Sequence, residues 1–271
     1  MFNTTIATQI YAKICFEATN SQKKIIENLS EYLSDDDFSR IFVLNGFAGT
    51  GKTTLIAALV AALKELRIKP VLLAPTGRAA KVLARYCGEQ ALTIHKRIYR
   101  QRTNADYESK FSLDFNREQG AVFIVDEASM LSDSTGDGAL FGSGSLLEDL
   151  VSYVRSGRSC RLILVGDSAQ LPPVGCDFSP ALDPATVSRY GEVVYGLMDE
   201  VVRQQMQSGI LFNATLVRCM LENRIYEIPK FEMDYPDFES VEGGDFMEKL
   251  QDAFDRYGRD EVIVITRSNK R

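Results

Sequence analysis

The chain has 271 residues, 45% hydrophobic and 25% charged, with a net charge of −6. This is an ordinary globular balance, enough for one large α/β domain or two smaller ones. The longest apolar run, 55–63, is far too short for a membrane span, and Gln9, Lys13 and Glu17 break the pattern of a signal peptide. Five cysteines (15, 87, 160, 176 and 219), odd in number and never spaced C-x-x-C, argue against a disulfide framework or a zinc site and for a reducing cytoplasm. Charge is uneven. Residues 64–102 carry ten Lys/Arg against two Glu, whereas 222–261 carry thirteen Asp/Glu against five Lys/Arg. A basic segment on an acidic chain is compatible with a confined polyanion track and equally with a solvated surface.

In chain order, residues 1–18 give only a short strand near 10–16. Thr19-Asn-Ser-Gln22 opens a helix with Asn20 as N-cap and Ile25, Ile26, Leu29, Tyr32 and Leu33 on one face. A β-branched strand at 41–45 leads through a glycine loop into a helix over 53–67. A second buried strand, 71–74, precedes Pro75-Thr-Gly77 and a helix over 78–86. Residues 91–99 read as a turn and a short helix. Residues 100–119 read as a hairpin, 100–104 turning back along 111–115. A third strand, 121–125, runs into Asp126-Glu127. The Gly/Ser/Asp-rich 132–145 reads as a mobile loop. A helix over 146–155 and a fourth strand, 162–165, follow. Helical patterns cover 199–207 and 210–222. An acidic connector then holds a short strand near 238–241, a helix over 243–257 and a last β-branched strand at 262–266. Short apolar strands alternating with helices predict an α/β fold, a parallel sheet covered on both faces.

Three clusters carry chemistry, each at the end of a buried strand. Gly46-Phe-Ala-Gly-Thr-Gly-Lys-Thr-Thr54 is a P-loop in its strand-to-helix context. Gly46, Gly49 and Gly51 let backbone N–H groups, with those of Thr50 and Thr54, turn toward phosphate oxygens, and the helix points its positive end at the same charge. Lys52 reaches the β- and γ-phosphates, and the Thr53 hydroxyl is placed to ligate Mg²⁺. At the second strand end, Asp126 is the acid for Mg²⁺ and Glu127 the one that orients and deprotonates an attacking water. The plain alternative is a helix start decorated with acids. At the third, Gly166-Asp-Ser-Ala-Gln-Leu-Pro-Pro173 turns Asp167 and Gln170 toward the same nucleotide, and Gln170, being neutral, can sense the γ-phosphate.

These motifs, with Ala74-Pro-Thr-Gly-Arg-Ala-Ala80, Thr93-Ile-His95, Val125-Asp-Glu-Ala-Ser129 and Val201-Val-Arg-Gln204, resemble the RecD-like and TraA-like DNA helicases of superfamily 1B. The match is good over about 16–220. The resemblance implies a RecA-like ATPase domain over 1–220, an inserted hairpin subdomain at 98–120 that splits the duplex, an acidic connector at 221–260, and the start of a second RecA-like domain at 261–271. It implies ATP and Mg²⁺ as ligands, single-stranded DNA as partner, movement 5′ to 3′, no membrane, and repair or recombination proteins as further partners. By the same resemblance Gln22 reads adenine and Arg203 reaches the γ-phosphate. Pro75, Thr76, Arg78, Thr93 and His95 hold the DNA backbone, with Pro172 and Pro173 beside them.

The family's second RecA-like domain has no full counterpart here, so the expected activity is ATP binding with slow turnover. Two other readings stand beside the helicase one: a P-loop ATPase acting as a partner-dependent switch, and a module that holds nucleotide or DNA without useful catalysis. Stimulation of hydrolysis by single strands separates the first two; comparing this chain with a longer one decides the third.

Overall fold

The computed structural model describes residues 2–103, 109–133, 141–200 and 208–266. They divide into two compact units, Met1–Arg203 and Gln204–Arg271. In the first, the strands are β1 (Ile41–Gly46), β2 (Pro70–Ala74), β3 (Ala91–Thr93), β4 (Tyr99–Thr103), β5 (Ser109–Leu113), β6 (Val122–Val125), β7 (Arg161–Gly166) and β8 (Val193–Met198). Six of them make one all-parallel sheet in the order β3-β2-β6-β7-β1-β8.

The apolar runs are continuous because both sheet faces are covered, so successive residues feed opposite cores. Phe42, Leu44, Val122, Ile124, Ile163 and Val165 enter one core with α1 (Phe2–Lys13), α2 (Asn20–Ser34) and α3 (Lys52–Glu65). Ile41, Val43, Phe123, Val125, Leu162 and Leu164 enter the other with α5 (Ile94–Ile98) and α6 (Leu146–Ser156). Most of these side chains are fully buried, each contributing about 1.5–3 kcal/mol against exposure. A further helix, α4 (Gly77–Cys87), covers β2 and β3 and packs on α3, and a short α7 (Pro184–Val187) precedes β8. β4 and β5 pair antiparallel from Tyr99↔Leu113 to Thr103↔Ser109, in the place the sequence gives to a hairpin.

Several expectations are corrected. The N-terminal segment is helix α1, not a strand: Ile6 and Ile10, four apart, are both fully buried against neighbouring helices. The N-cap of α2 is Thr19, not Asn20. Thr19 Oγ1 accepts from Gln22 N at 3.3 Å and Gln22 Oε1 from Thr19 N at 3.0 Å, a reciprocal capping box. Residues 91–93, read as a turn, form strand β3. Strand β8 has no counterpart among the expected elements; it pairs with β1 along its whole length.

The second unit contains α8 (Gly209–Glu222) and α9 (Phe246–Tyr257). The compact first unit ends at Arg203, and α8 groups with the second. Ser208 caps α8, and Asp237 accepts from Gly209 N at 2.7 Å. Buried Asn213 bridges to Glu232 N and O, both at 2.8 Å. With Asp237 serving that helix start, 238–241 forms no strand, only a bridge between Tyr235 and Phe238. Residues 262–266 also form none, and Ile263 and Ile265 stay exposed. The hairpin tip 104–108, the loop core 134–140, the helical pattern at 201–207 and the tail 267–271 lie outside the described residues.

Candidate nucleotide site

β1, β6 and β7 all end at one edge of the sheet, and each delivers a motif there, where open α/β sheets bind ligands. Beyond β1 the loop turns through Gly49 (φ 75°) and Gly51 (φ 86°), left-handed positions that suit residues without a Cβ. Gly51 is the N-cap of α3, and Lys52 its first residue. A Cβ on Gly46 would stand 2.9 Å from Lys52 Cγ and Cδ and 3.0 Å from Met198 Cβ, so the lysine stem needs glycine there.

The Lys52 ammonium donates to Gly46 O and, at 2.9 Å, to Phe47 O, and stands 3.8 Å from Asp167 Oδ2. Burial lowers its pKa, while Asp167, Glu127 and Asp126 pull it back up. Burial raises Asp126, against a backbone hydrogen bond at Glu127 and the nearby Lys52. Glu127 is raised by burial and by Asp126, opposed by Lys52. Its backbone sits at φ 54°, a left-handed conformation that costs a non-glycine residue about 1–3 kcal/mol and concentrates at functional sites. Asp167 is 3% exposed, with Oδ1 accepting from Ala169 N at 2.9 Å.

Among the described residues one ammonium thus lies beside Asp167 and within electrostatic reach of Glu127 and Asp126, a set that leaves negative charge for a divalent cation to neutralise. Among the described residues no group of three or more His, Cys, Asp or Glu could hold a metal by itself. Magnesium in phosphate sites takes one or two protein ligands and completes its shell with phosphate oxygens and water. Asp126 and the half-buried Thr53, in the first turn of α3, fit that pattern.

Other expected residues fall in different places. Gln22 is 1% exposed, and besides its capping role its Nε2 donates to Thr50 O at 2.9 Å, tying α2 to the P-loop. Thr50 is fully buried, with Oγ1 donating to Phe47 O at 2.8 Å; Thr54 is exposed. The Gln170 side chain is exposed, and only its backbone N–H joins the cluster, donating to Asp167 O at 3.1 Å. Arg203 lies outside the described residues. The Thr76 and Thr93 hydroxyls cap α4 and α5, accepting from Ala79 N and Lys96 N. Pro75 and Pro172 are half-buried, Pro173 is buried and Arg78 is exposed. His95 is half-buried beside Tyr99 and Phe141, with ring centroids 5.6 and 5.1 Å away, and burial lowers its pKa.

Asn45 is a site residue that no sequence motif names. It is 6% exposed at the end of β1; its Oδ1 accepts from Ser168 N at 3.0 Å, and its Nδ2 donates to Ser168 Oγ at 2.9 Å and Tyr195 OH at 3.0 Å. It fastens the P-loop strand to the Asp167 loop and to β8. The signal available is a polar residue at the end of an apolar strand, one place before the P-loop.

Residues 17–212 match the family model described as AAA domain, AAA_30. The chain belongs to this family. Among its relatives are the ATP-dependent RecD2 DNA helicase of Deinococcus radiodurans (30% identical over 154 residues, 57% of this chain and 19% of that protein) and the RecBCD enzyme subunit RecD of Mycobacterium tuberculosis (33% over 201 residues, 60% and 32%). The expected kinship with RecD-like helicases is borne out. The chain of this AAA domain protein spans under a third of the length of either relative. A Pif1 helicase from Bacteroides, solved with ADP-AlF3 and ssDNA, superimposes with a TM-score of 0.50 at 18% identity, covering 92% of this chain and 58% of that one. This agrees with the RecA-like P-loop α/β fold. No helix among the described residues is long and apolar enough to cross a membrane.

Proposed function

We propose that this chain is the ATP-binding and ATP-hydrolysing portion of a DNA helicase that moves 5′ to 3′ on single-stranded DNA. The observation that carries the reading is the meeting of Lys52 with Asp126, Glu127 and Asp167 beside the left-handed P-loop glycines. In this proposal the P-loop N–H groups and Lys52 hold the phosphates of ATP, exchanging the carbonyl partners of the ammonium for phosphate oxygens. Thr53 and Asp126 hold Mg²⁺, which when bound offsets charge on the phosphates. Glu127 orients the attacking water and takes its proton, a role served by a carboxylate that burial makes more basic. Gln170 and Arg203 address the γ-phosphate, and Gln22 the adenine, in exchange for its bond to Thr50.

Pro75, Thr76, Arg78, Thr93, His95, Pro172 and Pro173 are proposed to line the single-strand path, with the β4–β5 hairpin as the duplex wedge. We further propose that a second RecA-like domain supplies the other wall of the ATP cleft, since the relatives extend well beyond the matched part. Alone, this chain then binds ATP and turns it over slowly.

The test is ATP binding and hydrolysis with and without a single-stranded oligonucleotide, in wild type and Glu127→Gln. The variant is expected to bind like wild type and to lose about 100-fold or more in hydrolysis; equal loss of both refutes its role as base. Absence of stimulation by single strands, in a chain carrying the second domain, sinks the helicase reading and leaves the ATPase switch.

A further inference from the structure

The outer face of α4 carries charge that the nucleotide site does not use. Arg78, Lys81, Val82, Arg85 and Tyr86 fall at i, i+3, i+4, i+7 and i+8, one stripe of the helix. All five are exposed, Val82 at 46% and Tyr86 at 63%. The stripe faces outward because Ala80 and Leu83, on the other side, are buried where α4 packs on α3, β2 and β3.

A solvated helix face usually intersperses acids with its cations. α4 contains no Asp or Glu, and among the described residues no carboxylate pairs with Arg78, Lys81 or Arg85. The acids nearest in sequence are taken elsewhere: Glu65 by Lys13 and Glu89 by Lys64. Three cations therefore stand uncompensated along about 10 Å of helix, seven residues at 1.5 Å each, on a chain whose net charge is −6. An exposed tyrosine closes the row. Cations that follow a backbone, next to an aromatic face open for stacking, are the chemistry of single-strand binding.

We propose that this face is a nucleic-acid contact surface, with Lys81 and Arg85 pairing with phosphates of a single strand and Tyr86 stacking on one of its bases. It continues the path from Pro75, Thr76 and Arg78 along the outside of α4. The proposal rests on the DNA-binding reading above and adds residues that no motif names.

The experiment is fluorescence anisotropy of a labelled oligo-dT with the whole chain, titrated across salt. Lys81→Ala/Arg85→Ala is expected to weaken binding about tenfold and to flatten the log K against log salt slope by about 1.4, or 0.7 for each phosphate no longer neutralised. Tyr86→Ala is expected to weaken binding about fivefold or more, and Tyr86→Trp to restore it. These side chains are exposed, so unchanged circular dichroism serves as the folding control. If wild type binds the oligonucleotide and these variants bind it with the same affinity and salt slope, the proposal falls and the DNA reading stands. If wild type binds no oligonucleotide, both fall. If the double variant instead loses affinity only for an acidic peptide, such as residues 222–261, the face belongs to a protein contact and the proposal is overturned.

Discussion

Replacing Asn45 by alanine removes three hydrogen bonds at one stroke: Ser168 N to Oδ1 at 3.0 Å, and Nδ2 to Ser168 Oγ at 2.9 Å and to Tyr195 OH at 3.0 Å. At about 1 kcal/mol net for each bond the ceiling is about 3 kcal/mol. Ser168 is exposed and Tyr195 is 39% exposed, so water can replace part of what is removed. The expected cost is therefore about 1–2 kcal/mol. For a unit of this size that lowers the unfolding midpoint by about 2–8 °C. A second consequence is local. Ser168 directly follows Asp167, whose carboxylate stands 3.8 Å from Lys52, so loosening the loop disturbs the end of the site where the proposal places the phosphates. Asn45→Asp separates the two effects. Its carboxylate still accepts from Ser168 N, and the two hydroxyls can turn to donate to it, so stability falls less than in the alanine variant. It also adds a negative charge near Asp126, Glu127 and Asp167, so ATP binding falls more. Thermal unfolding by circular dichroism and titration with a fluorescent ATP analogue read the two quantities. If Asn45→Ala leaves both midpoint and affinity unchanged, or Asn45→Asp binds ATP better than Asn45→Ala, Asn45 does not couple the two strand ends.

Burial makes Asp126 more protonated in the folded chain than its ordinary value of 3.8 allows. The cost of its charge is then full above its raised pKa and fades as pH falls toward 3.8. Asp126→Asn should raise the unfolding midpoint at pH 7 by about 2–4 °C, for about 1 kcal/mol. That gain should shrink toward pH 4 while hydrolysis is lost at every pH; a gain that grows on acidification contradicts the sign. Phe141 stacks on Phe111 of β5 with centroids 4.6 Å apart and touches Tyr99 and His95. Phe141→Ala should cost about 3 kcal/mol or less at this half-buried position and speed protease cleavage within 99–113, with ATP affinity unchanged; unchanged cleavage means the cluster does not hold the hairpin.

The central sheet and the P-loop were legible because continuous β-branched runs and fixed glycine spacing are local signals. What the sequence hid was tertiary. β8 is apolar but broken by Gly196, where a Cβ would meet Ile25 Cδ1 at 2.2 Å, and it leaves Tyr195 and Leu197 exposed, unlike the fully buried β1. Among its described side chains helix α1 fully buries only Ile6 and Ile10, too few to define a period before α2 and α3 are in place. Conversely, 262–266 has strand composition but forms no ladder among the described residues, because propensity alone does not make a strand. At the site, the order of Lys52, Asp126, Glu127 and Asp167 along the chain gave their convergence through the strand ends. Asn45 escaped because its role depends on Ser168 and Tyr195, more than 120 residues away.

The most direct test of the site is ATP affinity in Lys52→Ala, measured by isothermal titration with Mg²⁺ present. The Lys52 ammonium is bonded to Gly46 O and Phe47 O, the partners that the proposal exchanges for phosphate oxygens. Removing that charge should weaken binding about 100-fold, about 2.8 kcal/mol, with the unfolding midpoint of the free chain unchanged or raised, since a partly buried charge is removed. Binding within about twofold of wild type would show that the nucleotide, if held, is held elsewhere.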